Sequence, residues 1–239
     1  MIKTLLLLLF GGLKFGKLLT TGGTMLLSLV VYASIWGWRY AAGFIALLFT
    51  HEMGHFIAAK QRGLNVGAPT FIPFLGAWID LKEQPRDVET EAHVAIGGPL
   101  LGTVGAFAVY FAAREYDSKL LLAIAYSGFL LNLFNMLPMS PLDGGRVTAV
   151  LGPRIWFLGV PLMLGLLAWR PSPVLFIVVL FAAPQLVKAW RYDKNAPENQ
   201  AYYGIPAAKK LEYTAMYLGL TGALAVMTYE VHEMLGAVR

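Results

Sequence analysis

The chain has 239 residues, of which 57% are hydrophobic and 14% charged, with a mean hydropathy of +0.61. Soluble domains average about 45–50% apolar and about 25% charged residues, so the composition excludes an ordinary soluble enzyme. It predicts an all-α polytopic membrane protein of about six to seven transmembrane helices. The net charge of +5 reflects Lys and Arg gathered between apolar runs, so no nucleic-acid partner is expected. The absence of Cys excludes disulfides and thiolate metal ligands.

The first residues, Met1-Ile2-Lys3 and the apolar run over 4–10, begin like a signal peptide. The run is short, however, and Gly11-Gly12-Leu13-Lys14 stands where a small-x-small cleavage site would fall, so a retained interfacial or re-entrant segment is expected. A bilayer core needs about 20 mostly apolar residues per helix. Spans are predicted at 20–37, 41–60, 92–113, 119–138, 154–169, 172–189 and 211–235. Pro161 lies in the fifth and shortest, which is expected to tilt, kink or fail to cross. The organisation is read as an N-terminal segment and first span over 1–40 and a catalytic core over 41–150. Further helices over 151–239 flank a cytoplasmic loop at about 190–210.

Residues 63–84 interrupt the pattern. Gly67, Pro69, Pro73 and Gly76 punctuate the stretch, while Thr70-Phe71-Ile72 and Trp78-Ile79-Asp80-Leu81 favour short strands. An open strand edge cannot face lipid, so a small membrane-associated β segment is predicted at the interface, paired as a hairpin or lining a cavity.

Seven crossings assign the basic residues to two sides. One side holds Lys3, Lys14, Lys17, Lys60, Arg62, Lys82, Arg86, Arg146, Arg154, Lys188, Arg191, Lys194, Lys209 and Lys210; the other holds Arg39, Arg114, Lys119, Arg170 and Arg239. The richer side, with the N-terminus, is expected in the cytoplasm.

The second span ends in His51-Glu52-Met53-Gly54-His55. Histidines at i and i+4 share one helix face and can bind a single metal ion. The adjacent Glu52 can take a proton from water beside that ion. Ionisable groups at membrane depth are costly, which makes a functional reading the default. Two imidazoles leave a catalytic zinc short of a protein ligand. The remaining candidates are His93, His232 and carboxylates near the same face, with Asp143 the best placed. It lies in Asn135-Met136-Leu137-Pro138-Met139-Ser140-Pro141-Leu142-Asp143-Gly144-Gly145-Arg146. There, two prolines end the fourth span and Gly144-Gly145 permit positive φ. The second and fourth spans run in the same direction, so both motifs reach the cytoplasmic side at similar depth.

Over residues 40–150 the chain resembles the site-2 protease family of intramembrane zinc metalloproteases. The resemblance rests on His51-Glu52-x-x-His55, Gly97-Gly98-Pro99, and Asn135-x-x-Pro138-x-x-Pro141-x-Asp143-Gly144-Gly145. It implies one Zn2+ per chain on His51, His55 and Asp143, Glu52 as catalytic base, and Asn135 holding substrate or oxyanion. It also implies regulated intramembrane proteolysis of a transmembrane protein substrate in the lipid bilayer. From the placement of the basic residues, the active site is expected to open to the cytoplasm from the cell membrane. Relatives often carry a PDZ or cystathionine-synthase-type domain, for which this sequence leaves no room.

The alternatives are a zinc-binding membrane protein without protease activity and a metal transporter. Transport would need a ladder of polar sites across the bilayer, and the sequence offers one compact cluster. His93 reads as an interfacial or site-supporting residue and His232 as a polar helix end. Gly98 and Gly102 read as close helix packing, and the six Trp mostly as interfacial anchors.

Overall fold

The computed structural model describes residues 21–74 and 76–237. The expected N-terminal segment before residue 21 lies outside these. Helix α1 (Thr21–Trp36) is followed by α2 (Trp38–Gln61), and Gly37 at φ 82° makes the break between them. A hairpin of β1 (Val66–Ile72) and β2 (Gly76–Leu81) comes next, then α3 (Val88–Glu115), α4 (Lys119–Asn135) and the short α5 (Asp143–Thr148). Two 3-10 turns, Ala149–Leu151 and Pro153–Leu158, lead to α6 (Gly159–Trp169), α7 (Pro173–Trp190), α8 (Pro197–Tyr203) and α9 (Ala207–Gly236).

The expected helical class with a small β element is what forms. Among the described residues two helices, α2 and α3, are long and apolar enough to cross a membrane; Thr21–Trp36, Lys119–Asn135, Pro153–Trp169 and Leu175–Trp190 are shorter apolar helices. Pro161 lies in the first turn of α6, directly after the change from the 3-10 turn Pro153–Leu158 to the α-helix. Residues 190–210, read as a loop, contain α8, which Pro197 opens at a position suited to its fixed φ.

Sequence chemistry sets the helix ends. Asp87 caps α3 by accepting the Thr90 N–H at 2.7 Å, and Ser118 caps α4 by accepting that of Leu121. Helices α2 and α3 meet where Gly54 opposes Gly97: a methyl group on Gly54 would fall 2.1 Å from the Gly97 carbonyl oxygen. That contact brings the His51–His55 face of α2 against α3. On the other side of α3, Ala106, Ala125, Phe129 and Leu224 join α3, α4 and α9 in one apolar cluster. Tyr32, Ile45, Leu48 and Phe71 join α1, α2 and the hairpin in another.

The hairpin is antiparallel, pairing Ile72 with Gly76 and Val66 with Leu81, with an irregularity between Val66 and Pro69. Its turn holds Phe74 in the left-handed region at φ 66°.

Between α4 and α5 the chain is non-helical, as Pro138 and Pro141 dictate. Gly144 and Gly145 differ from expectation: they lie within α5 and not at positive φ. Their use is close approach. A Cβ on Gly144 would stand 2.2 Å from the Met136 oxygen, and one on Gly145 2.2 Å from the Met139 carbonyl carbon. The missing side chains let α5 fold back against the preceding loop and carry Asp143 to the histidines.

Candidate metal centre

His51, His55 and Asp143 come together although more than eighty residues separate the motifs. The Nε2 atoms of His51 and His55 are 3.2 Å apart, and each lies 3.2 Å from Asp143 Oδ2. The three ligand atoms thus form a triangle of equal edges. A tetrahedral zinc with bonds of about 2.0–2.1 Å has donor–donor edges of about 3.3 Å, so the triangle fits one such ion.

The protonation pattern supports the same fit. His51 Nδ1 lies 2.8 Å from Asn132 Oδ1, and His55 Nδ1 lies 2.8 Å from the Val94 carbonyl oxygen. Both partners are acceptors, so each neutral ring carries its proton on Nδ1. Two Nε2 lone pairs and a carboxylate oxygen then face one another with no proton between them. That is a donor set for a cation. All three residues are buried, with His51 at 3% exposure and Asp143 at 7%. Among the described residues they form a group of potential ligands whose atoms all lie within 4.8 Å of one another.

Glu52 is buried on the same turn of α2 and lines the cavity in front of the triangle. This cavity, about 340 Å³, is also lined by Asn135, Arg146, Pro141, Phe44, Leu131 and the hairpin residues Phe74, Gly76 and Ala77. Asn135 therefore reaches the cavity, while its Nδ2 donates to the Leu131 carbonyl at 3.0 Å.

His93 and His232 stand apart from the triangle. His93 contacts Gln61 and Tyr213 near the ends of α2, α3 and α9, and the His232 ring packs on Tyr126. The close packing expected at Gly98 and Gly102 forms against the site: a Cβ on Gly98 would strike His55 Nε2 at 2.2 Å and one on Gly102 Asn132 Oδ1 at 2.3 Å. These glycines on α3 make room for the candidate metal-binding face. One assignment changes. Trp156, read with the interfacial tryptophans, is buried and donates Nε1–H to the Gly145 carbonyl oxygen at 2.7 Å.

Two side chains outside the expected set also adjoin the site, Asn132 and Arg146. Asn132 sits one helical turn before Asn135 on an otherwise apolar helix, and a buried amide there was a readable signal. Arg146, taken as a topology marker, places NH1 3.9 Å from Asp143 Oδ1 and Nε 3.2 Å from Glu91 Oε1.

The family model described as Peptidase family M50 matches residues 39–117, a stretch that includes His51, Glu52 and His55. The resemblance to the site-2 protease family thus has a family match beside its motifs. Rip3 of Mycobacterium tuberculosis, whose name designates a zinc metalloprotease, is 30% identical over 128 residues, covering 48% of this chain and 32% of Rip3. A zinc metalloprotease of Methanocaldococcus jannaschii is 25% identical over 138 residues, covering 55% of this chain and 40% of the relative. The chain therefore spans well under half the length of these relatives. The structure of a site-2 protease from Methanocaldococcus jannaschii aligns with 71% of this chain and 89% of that one, at 22% identity and a TM-score of 0.47.

Proposed function

We propose that this chain is a multi-pass intramembrane zinc metalloprotease that hydrolyses peptide bonds within or near transmembrane segments of other proteins. The observation that carries the reading is the equal-edged triangle of His51, His55 and Asp143, beside a buried Glu52 in an apolar-walled cavity. The M50 match over residues 39–117 supports the reaction class.

In this reading a zinc ion on the three ligands supplies Lewis acidity, polarising a peptide carbonyl and making water a nucleophile near neutral pH. Glu52 takes the proton of the attacking water and returns it to the leaving amine, as general base and then general acid. Asn135 orients the carbonyl oxygen as negative charge develops on it. Phe44, Leu48 and Leu131 wall the cavity with apolar surface and receive side chains next to the cleaved bond. A substrate helix must unwind to expose its amides. Pairing along the hairpin edge near Gly76 and Ala77 gives the unwound chain hydrogen-bond partners by β-augmentation.

In the same reading six to seven of the helices cross the bilayer. The N-terminus and the site's opening face the cytoplasm, following the distribution of Lys and Arg. The reading is tested with Glu52→Gln, measuring zinc content together with cleavage of a membrane-embedded reporter. Retained zinc with cleavage reduced by more than about a hundredfold is expected of a lost general base. Unchanged cleavage contradicts it, and zinc retained by an unchanged protein that never cleaves any membrane reporter would favour a silent binder.

A further inference from the structure

A chain of polar contacts leaves the metal centre and ends in α8, outside the segment matched by the family model. Asp143 turns Oδ2 towards the histidines, while its Oδ1 faces Arg146 NH1 at 3.9 Å. The same guanidinium sets Nε 3.2 Å from Oε1 of Glu91, in the first turn of α3. The other Glu91 oxygen, Oε2, accepts a hydrogen bond from the Tyr202 hydroxyl. Three elements distant in sequence are thus joined by one path.

We propose that Tyr202 is a positioning residue for the metal centre, acting through Glu91 and Arg146 on the Asp143 carboxylate. The inference rests on reading Asp143 as a metal ligand. A carboxylate can offer one oxygen or two, and Asp143 stands at the start of a six-residue helix that follows a non-helical run. The guanidinium beside Oδ1 occupies the second oxygen and leaves Oδ2 for the ion. The contact is a charge attraction and not a hydrogen bond, but it persists where water is scarce.

Arg146 in turn needs a counterweight. Left alone with Asp143 it would swing inward and compete with the ion for the carboxylate. Glu91 holds it from the other side, and Tyr202 fixes Glu91 by donating to its second oxygen. Burial and the adjacent Glu91 carboxylate push the Tyr202 phenol above its ordinary range, so the hydroxyl keeps its proton and remains a donor. Tyr202 is itself anchored, because α8 packs on the apolar cluster of Val88, Ala92, Val150 and Trp156. Trp156 belongs to that cluster and binds the Gly145 carbonyl. Helix α5 is therefore tied to one platform twice, through its backbone at Gly145 and through its side chain at Arg146.

The test uses the full-length chain in detergent, loaded with zinc and challenged with excess chromogenic chelator. Tyr202→Phe, Glu91→Gln and Arg146→Gln are each expected to lose zinc several-fold to about tenfold faster than the unchanged protein. Tyr202→Phe added to Glu91→Gln is expected to make no further difference, because the phenol acts through that carboxylate. Tyr192→Phe, in the same aromatic cluster at 5.2 Å from the Tyr203 ring, is expected to leave the rate unchanged. An unaltered rate for Tyr202→Phe, or full additivity with Glu91→Gln, overturns the proposal. Asp143→Asn separates the two readings. If it sheds zinc while Tyr202→Phe does not, only the inference falls; if it holds zinc as firmly as the unchanged protein, the ligand assignment falls with it.

Discussion

Asn132 Oδ1 accepts the Nδ1–H of His51 at 2.8 Å, and this one bond sets the tautomer of the first proposed ligand. The amide orientation is fixed from behind, because Asn132 Nδ2 donates to the Gly128 carbonyl at 2.7 Å. A carboxylate often serves a ligand histidine in this role, and an amide does so here without adding a buried charge.

Replacing Asn132 with Ala is therefore expected to weaken zinc binding about 10–100-fold, the usual effect of removing such a partner. Asn132→Asp keeps the acceptor but sets a second oxygen against the Gly128 carbonyl, so it is expected to restore only part of the loss. Competition against a chelator of known affinity measures both. Equal affinity in Asn132→Ala and the unchanged protein would remove Asn132 from the site.

Gly98 leaves no room for a side chain beside His55, its Cβ position lying 2.2 Å from His55 Nε2. Gly98→Ala is expected to displace the His55 ring and reduce zinc affinity by more than about tenfold. Gly219→Ala is the control, since nothing lies within 4 Å of its Cβ position. It should keep zinc affinity and raise stability by up to about 1 kcal/mol, as replacing a helical glycine does where nothing opposes the methyl. Zinc content and thermal unfolding of the two variants decide the point.

The turn of the hairpin is held from α1. Tyr32 Oη accepts the Phe74 N–H at 2.8 Å, and the two rings meet edge to face at 5.5 Å. Tyr32→Phe keeps the ring contact and removes the acceptor, at a local cost of about 0.5–1.5 kcal/mol. Amide exchange around residue 74 is expected to speed up several-fold. If the hairpin binds substrate, KM should rise while kcat stays constant. A fall in kcat alone would place the hairpin's role in the chemistry.

Asn135 is expected to act on the reaction and not on the metal. Asn135→Ala should retain zinc while kcat drops about 10²–10³-fold, the range for losing an oxyanion donor. Loss of zinc in that variant would reassign Asn135 to metal support.

The His pair was legible because an i, i+4 spacing on a helix needs no tertiary information. Asp143 was legible because two prolines and two glycines announce a break where a helix should end. The helices also fell close to their apolar runs. What remained hidden depends on facing surfaces. Gly98 and Gly102 reveal their purpose only when α3 is laid against His55 and Asn132. Arg146 looks like any cytoplasmic arginine until Glu91 arrives from α3 and Tyr202 from α8. Trp156 had the same composition signal as the exposed Trp169 and Trp190, and packing alone separates them.

In the proposed function one divalent ion is held by two Nε2 atoms and one oxygen of Asp143. X-ray absorption on the zinc-loaded protein, with zinc stoichiometry measured on the same sample, addresses it directly. One zinc per chain is expected, with two imidazole nitrogens and oxygen donors at about 2.0–2.2 Å; Asp143→Ala should lose the protein oxygen and most of the metal. A wild-type chain that takes up no zinc, or an Asp143→Ala chain with an unchanged spectrum and full occupancy, contradicts the account.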